Sequence, residues 1–396
     1  MTTIESLTAS GPDPDTDQTR LDGAAILANA RRIAPLLREH AADVEAARRL
    51  TPPVVDALRA TGVFRMAMPR AWGGPELDLL TQVQILETLS RADASAGWCA
   101  MIGSDSGYYG AFLAQAGARS LYPELDAVTA GWVLPAGTLQ VVDGGYRLSG
   151  RWSFGSGITH ADVVAAGALV SEPGPAGQPE WRIALLPASQ VCVHDTWHTT
   201  GLCGSGSNDY SIDGAFVPAG HTFGLDRTNR EEPLYRWPGL FIANLVAVPL
   251  GVAAAAVDTA MEMLAAKISM PGMIPARDEP RVRAAVARAQ AMVGSARSYV
   301  YDTFGGFWAV LEAGDTPEFA ARAQLAGCFV HTLTTCRDAV ALLIEVVGTA
   351  GIQRGCVLER HHRDLITIGS HLMGQPKMRE WAGGLWFGQP APVTIV

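Results

Sequence analysis

The residues best placed to do chemistry lie between Gly144 and Val163, in GGYRLSGRWSFGSGITHADV. Here Arg151-Trp152-Ser153-Phe154-Gly155-Ser156-Gly157 interleaves two large aromatics with Ser and Gly. Glycine lets a backbone approach a flat ligand closely. Trp and Phe supply a wall to pack against, and the Ser156 hydroxyl can donate or accept. That set suits a planar, polar-edged heterocycle such as a flavin. The same pattern fits a β-edge with a bulge and two core aromatics, and taken alone the stretch favours that plainer reading.

Two further stretches carry polar groups. Gly201–Asp209, GLCGSGSND, is a Gly/Ser loop whose backbone N–H groups could form an anion-binding nest; a plain turn before a strand is the simpler account. Glu359-Arg360-His361-His362-Arg363-Asp364 is followed by Gly369-Ser370-His371. Arg363-Asp364 reads as a structural pair or a helix cap. His371 ends that helix, and histidine is both the commonest general base and, when alone, more often structural. His194 and His198 share a strand region without a third ligand, and His361 and His362 diverge by about 100° on a helix, so no metal site is expected. No GxGxxG follows a strand, and GxxxxGK[ST] and HExxH are absent.

These groups must be positioned by a chain of 396 residues, enough for several packed layers. Charged residues are only 17% against 48% hydrophobic, which points to surface buried between subunits. With 30 basic and 39 acidic residues and no basic run, nucleic acid is not an expected partner. Six scattered cysteines without CxxC fit free thiols in a reducing cytosol, and with no basic n-region followed by an apolar core at the N-terminus, secretion is not expected. Leu240–Val257 is long and apolar, but its Ala, Asn244, Pro249 and Gly251 favour a buried helix over a membrane span.

Periodicity divides the chain into four parts. Residues 1–22 are polar and expected to be disordered. Residues 23–129 form an N-terminal helical domain, with helices over Gly23–Arg49, from Thr51 to Gly62, over Leu77–Arg91 and after Asp93. Residues 130–230 form a middle domain of antiparallel strands, among them Thr138–Val142, Val163–Val170, Trp181–Pro187, Val191–His194 and Tyr210–Val217, with Ser171–Glu180 as an exposed hairpin loop. Residues 231–396 form a C-terminal helical bundle: Leu245–Met270, Glu279–Ala313, Pro317–Gly348 and Leu358–Ser370, then a tail rich in Trp and Gly.

In this order, PRAWGG at Pro69, DASAGW at Asp93, GGYRLSGRWSF at Gly144, GLCGSGSNDYSIDGAFVP at Gly201 and RHHRDLITIGSH at Arg360 resemble the acyl-CoA dehydrogenase superfamily over nearly the whole chain. Within it the chain is similar to the two-component, reduced-flavin-dependent monooxygenases. The resemblance implies an α+β, acyl-CoA dehydrogenase-like fold and an oxygenase component. Reduced FMN (or FAD) would come from a separate flavin reductase, and O2 would add to it as a C4a-hydroperoxyflavin. The substrate would be a small aromatic, polyketide or amino-sugar-like molecule, hydroxylated or N-oxygenated in a cytoplasmic homotetramer. It implies Ser156 at flavin N5, Trp152 and Phe154 along the ring, Ser205 and Arg277 at the phosphate, Trp98 and Tyr108 at the substrate, and His371 deprotonating or orienting that substrate.

Departures from the dehydrogenases support the branch. LPAGTLQVV (Leu134–Val142) replaces a TEPxAGSD-like segment, and no Glu follows Arg363-Asp364, so the usual base for α-proton abstraction is missing. The branch often has a second histidine after the Trp of the DxSxxW helix; Ser104–Tyr109 has none, and a Tyr from that run is the replacement on offer. A flavin-dependent acyl-CoA dehydrogenase-like oxidoreductase and a non-catalytic ligand-binding paralogue remain the alternatives.

Overall fold

The structure is a computed structural model that describes residues 21–172, 177–226 and 228–391. The expected disordered tail (1–22), apart from its last two positions, and part of the Ser171–Glu180 loop fall outside the described residues. Six helices come first: α1 (Gly23–Ala47), α2 (Pro52–Thr61), α3 (Leu79–Ser90), α4 (Ala94–Gly103), α5 (Ser106–Phe112) and α6 (Gln115–Leu121). Three open on an aspartate whose carboxylate accepts a first-turn N–H: Asp22 before α1, Asp78 before α3 and Asp93 before α4. Each thereby satisfies a donor that the helix leaves unpaired. Every residue of α4 except Ile102 is buried. A Cβ on Gly97 would lie 2.0 Å from Ser90 Oγ, so only glycine lets α4 approach α3 this closely.

The middle domain is a seven-stranded sheet of β1 (Thr129–Val142), β2 (Gly145–Gly155), β3 (Val163–Val170), β4 (Trp181–Pro187), β5 (Cys192–His194), β6 (Asn208–Pro218) and β7 (Thr222–Phe223), in the order β5-β6-β2-β1-β3-β4-β7. The expectation of purely antiparallel strands is corrected at one pair. β2 folds back on β1 as a hairpin, and β3 then crosses to the opposite edge of β1 and runs parallel to it. The expected first strand was also short, because Pro135, Gly131 and Gly137 interrupt its alternation and the register shifts between Trp132 and Gly137.

The helical bundle follows: α7 (Ala247–Ala266), α8 (Pro280–Glu312), α9 (Phe319–Val347), α10 (Val357–Gly369) and α11 (Pro376–Trp386). Sequence periodicity left α11 inside an irregular tail. The run Pro238–Ala266 is long and apolar enough to cross a membrane, with mean hydropathy 2.3, but 89% of its most apolar stretch is buried inside the protein. One apolar core joins the two helical regions, and a second fills the sheet around Trp152, Tyr210, Leu139 and Leu186.

Candidate active site

Three remote stretches meet at Trp98 on α4. Its indole Nε1–H donates to Ser156 Oγ at 2.9 Å, and its ring meets His371 edge-on at 5.8 Å between centroids. Ser156 Oγ continues to Ser207 Oγ at 2.7 Å, and Ser207 to Ser205 Oγ at 2.7 Å. Gly157 N–H donates to the Ser205 carbonyl at 2.9 Å and so fixes the Ser156 turn to this loop. A hydroxyl carries one hydrogen and two lone pairs. With the hydrogens running from Ser205 towards Ser156, the last free hydrogen sits on Ser156. Reversed, Ser156 keeps a free lone pair. Its hydroxyl can therefore meet either a donor or an acceptor.

Beside it, β2 carries a bulge against β6 between Trp152 and Gly155. Phe154 in that bulge has φ +66 and is 54% exposed. Its ring lies 5.6 Å from Trp132 and 6.4 Å from Trp197. A bulky residue at positive φ is strained, and such strain clusters at functional sites. Three partly exposed aromatics beside a hydroxyl with one bond to spare make a surface that fits a flavin.

Comparison with known proteins agrees. The acyl-CoA dehydrogenase N-terminal domain matches residues 23–120 and the acyl-CoA dehydrogenase C-terminal domain matches residues 243–376. Indole-3-acetate monooxygenase of Pseudomonas putida is 32% identical over 349 residues, covering 87% of this chain and 89% of that protein. The FADH(2)-dependent resorcinol hydroxylase, oxygenase component, of Rhizobium sp. (strain MTP-10005) is 30% identical over 86% of this chain and 88% of its own. The crystal structure of 3-HSA hydroxylase from Rhodococcus sp. RHA1 superposes with a TM-score of 0.86 at 26% identity, covering 94% of this chain and 99% of that one. The chain belongs to the flavin-dependent monooxygenases of the acyl-CoA dehydrogenase family. It is an oxygenase component and works with reduced flavin and O2.

Within this monooxygenase, Trp98, Ser156 and His371 come together, and Phe154 stands two residues before Ser156. Trp152 does not join them. It is 1% exposed, donates from Nε1 to the Gly167 carbonyl at 2.7 Å and stacks on Tyr210 inside the sheet. In an unbroken strand, positions 152 and 154 would share a face. The bulge adds a residue and turns Phe154 outward.

Ser205 is corrected as a phosphate ligand. It is 1% exposed, its hydroxyl is bonded to Ser207, and three of the loop's N–H donors are spent: Ser205 N–H on the Leu202 carbonyl, Gly206 N–H on the Cys203 carbonyl and Leu202 N–H on Asp364 Oδ1 at 2.7 Å. A Cβ on Gly201 would lie 2.1 Å from the Arg363 carbonyl, so the loop is seated directly on α10. The Arg363-Asp364 pair is accordingly structural. Asp364 anchors the loop, and Arg363 bonds Glu359 at 2.6 Å and Glu45 at 2.7 Å. Burial pushes Asp364 up to about 7 and the α4 cap Asp93 up to about 6.

Arg277 is exposed in a turn beyond the C-terminal end of α7, while α4 and α3 meet the N-terminal half of α7 near Gly251. Since α7 is about 30 Å long, one chain does not bring Arg277 to Ser156. Tyr108 is 3% exposed, donates to Gln82 Oε1 at 3.3 Å and packs on Tyr235, so its hydroxyl is already committed.

The structure also sets the state of His371. Its Nδ1 accepts the Met373 N–H at 3.3 Å, capping the turn Leu372–Gly374. The neutral ring then carries its proton on Nε2. Burial lowers its pKa to about 4, so at neutral pH His371 is an uncharged Nε2–H donor. Sequence reasoning missed Ser207, Trp132, Trp197 and Asp105. Ser207, alternating with Ser205 in GSGS, was the one most open to detection.

Two surface cavities lie away from this cluster. One of about 760 Å³ sits between α8 and α9, and one of about 430 Å³ lies around Arg182 and Gly220. Among the described residues, no group of three or more His, Cys, Asp or Glu could hold a metal ion.

Proposed function

We propose that this oxygenase component hydroxylates a small aromatic substrate at the junction of Trp98, Ser156 and His371. The observation that carries the reading is the double engagement of Trp98. One indole hydrogen-bonds Ser156 and packs against His371, so it sets the distance between a cofactor-side hydroxyl and a substrate-side imidazole.

Bound reduced flavin supplies the oxygen chemistry: it activates O2 and gives one oxygen atom to the substrate. Ser156 would hold flavin N5, donating or accepting as its hydroxyl chain is oriented. Phe154, Trp132 and Trp197 would cover the ring. His371 would orient the substrate through Nε2–H. It is poorly suited to act as a base, since that nitrogen is already protonated and the ring resists a second proton. Buried Ile158, Leu202 and Cys99 around the cradle would keep water out.

The flavin would arrive reduced from a separate reductase. The resorcinol relative's name makes FADH2 the first flavin to test, ahead of the FMN that the sequence reading preferred. Its phosphates would be held elsewhere than on Ser205. Arg277 remains a candidate only from a neighbouring copy. Trp386, Phe387 and Ile352 are 60%, 86% and 68% exposed on the C-terminal bundle, which supports a homotetramer that covers them. Six unpaired cysteines support a cytoplasmic protein. The relatives direct the choice of substrates towards indole-3-acetate and resorcinol.

The test supplies chemically reduced FAD or FMN, O2 and each aromatic in turn, then measures hydroxylated product against released hydrogen peroxide. Substrate-dependent product at the expense of peroxide is expected. Peroxide alone with every flavin and aromatic contradicts the reading.

A further inference from the structure

We propose that Asp105 recognises the substrate, its unpartnered carboxyl oxygen accepting a hydrogen bond from a neutral N–H or O–H of an aromatic ring that lies against Tyr109 and Phe241. The proposal rests on the monooxygenase reading above and names a polar group further along the helix that carries Trp98.

Asp105 stands where Asp22, Asp78 and Asp93 stand, immediately before a helix. Those three cap α1, α3 and α4, but Asp105 makes no side-chain bond to α5. The serines on either side are satisfied: Ser104 Oγ donates to the Met101 carbonyl at 2.8 Å and Ser106 Oγ to the Ala127 carbonyl at 2.7 Å. Asp105 is 2% exposed, and its Oδ1 has no hydrogen-bond partner. A buried, unsatisfied acceptor weakens the fold, and an apolar residue would avoid that loss. A ligand that completes the bond gives the carboxyl a reason to be there.

Its position ties it to the site. Residues 98, 102 and 105 lie along one face of α4 and its extension. Trp98 begins that face, against Ser156 and His371, and Ile102 is the one residue of α4 that is not fully buried. Beyond Asp105, the Tyr109 ring lies 6.0 Å from Phe223 and 5.9 Å from Phe241, and Phe223 stacks on Phe112 at 4.8 Å. These rings are buried against one another, with Tyr109 6% and Phe241 4% exposed, so a planar ring seated on them would be shielded from water.

The surroundings select the partner. No ion pair reaches Asp105 among the described residues, and burial raises its carboxyl pKa well above the usual carboxylate range. A buried oxygen with no cation beside it is matched by the hydrogen of a neutral ring N–H or phenolic O–H.

The experiment pairs each probe with its methylated form: indole-3-acetate with 1-methylindole-3-acetate, and resorcinol with 1,3-dimethoxybenzene. Calorimetric Kd without turnover, and KM with reduced FAD and O2, are measured for the wild type, Asp105→Asn and Asp105→Leu. In at least one pair, the wild type should prefer the free N–H or O–H by about ten- to a hundredfold. Which pair responds tells the ring N–H from the phenolic O–H. Asp105→Leu, of similar volume, should reduce that preference to about threefold or less. Asp105→Asn keeps an acceptor carbonyl and should retain most of it. If the leucine variant does not fold, Asp105→Ala takes its place. Equal binding within both wild-type pairs, or full discrimination by the leucine or alanine variant, overturns the proposal. Failure of the monooxygenase reading is distinct: the wild type would then release only peroxide, whatever the binding data give for Asp105.

Discussion

The stretch from Trp98, midway along α4, to Asp105, two residues past its last turn, differs at its two ends in how completely the polar groups are bonded. At Trp98 the bonds close in series: indole to Ser156, Ser156 to Ser207, Ser207 to Ser205, with Gly157 tied to the same loop. At Asp105, about 10 Å further along, a carboxyl oxygen is buried without a partner. The first end is built before any ligand arrives, and preorganisation of this kind suits a cofactor whose shape does not change between substrates. The second leaves a bond for the ligand to complete, and that is how a site rejects a molecule lacking the matching group.

The sharpest way to break this contrast is at Trp98 itself. Trp98→Ala removes a buried indole that serves both Ser156 and His371, and should cost about 3–5 kcal/mol of stability, read as a fall in denaturation midpoint. An equally stable variant would mean that the closed end is not under structural constraint. Gly97→Ala attacks the same helix from behind, since its Cβ would collide with Ser90. About 1–3 kcal/mol of destabilisation is expected. Ser156→Ala leaves the buried Trp98 Nε1–H without its acceptor and should cost about 1–3 kcal/mol of stability, while raising peroxide release about five- to tenfold. Unchanged coupling would remove Ser156 from the cofactor side.

Acid–base behaviour should separate the two ends in sign. His371 has its folded pKa lowered to about 4, so its contribution to stability is present above its unfolded value near 6.5 and is lost as pH falls towards 4. His371→Asn should therefore lose less stability than the wild type on acidification from pH 7 to 4. Asp105 has its folded pKa raised, so its contribution is present below about pH 4 and is lost as pH rises. Asp105→Asn should gain on the wild type as pH rises above 4. Unfolding curves at several pH values check both, and parallel pH slopes for the two variants would contradict the assignment.

The sequence was informative wherever a residue's role follows from local spacing. Most helices could be read from the recurrence of apolar residues, whereas Trp98, Ser156 and His371 were given roles at one site only by the family resemblance, and the fold brings the three together. It was uninformative where one inserted residue or one spent donor decides the outcome. The bulge at Phe154 separates it from Trp152, a change of face that no alternation pattern records. The GLCGSGSND loop has the composition of an anion nest, yet three of its N–H groups go to Leu202, Cys203 and Asp364. Asp105 has the sequence of a helix cap, and only the fold reveals that it caps nothing. The parallel pairing of β3 with β1 depends on which edge the chain crosses to, which lies in the connection and not in the strands.

The most direct test of the central claim, that Trp98 fixes a cofactor-side hydroxyl against a substrate-side hydrogen-bond donor, is the product-to-peroxide ratio of His371→Asn and His371→Ala between pH 6 and 8. Asparagine can keep a donor at this position and should hold the ratio within about threefold of the wild type, with no titration near 6.5 in either protein. Alanine should lower it about tenfold or more. An asparagine variant as uncoupled as alanine, with a wild-type ratio that rises through a pKa near 6.5, would contradict the account and make His371 the base.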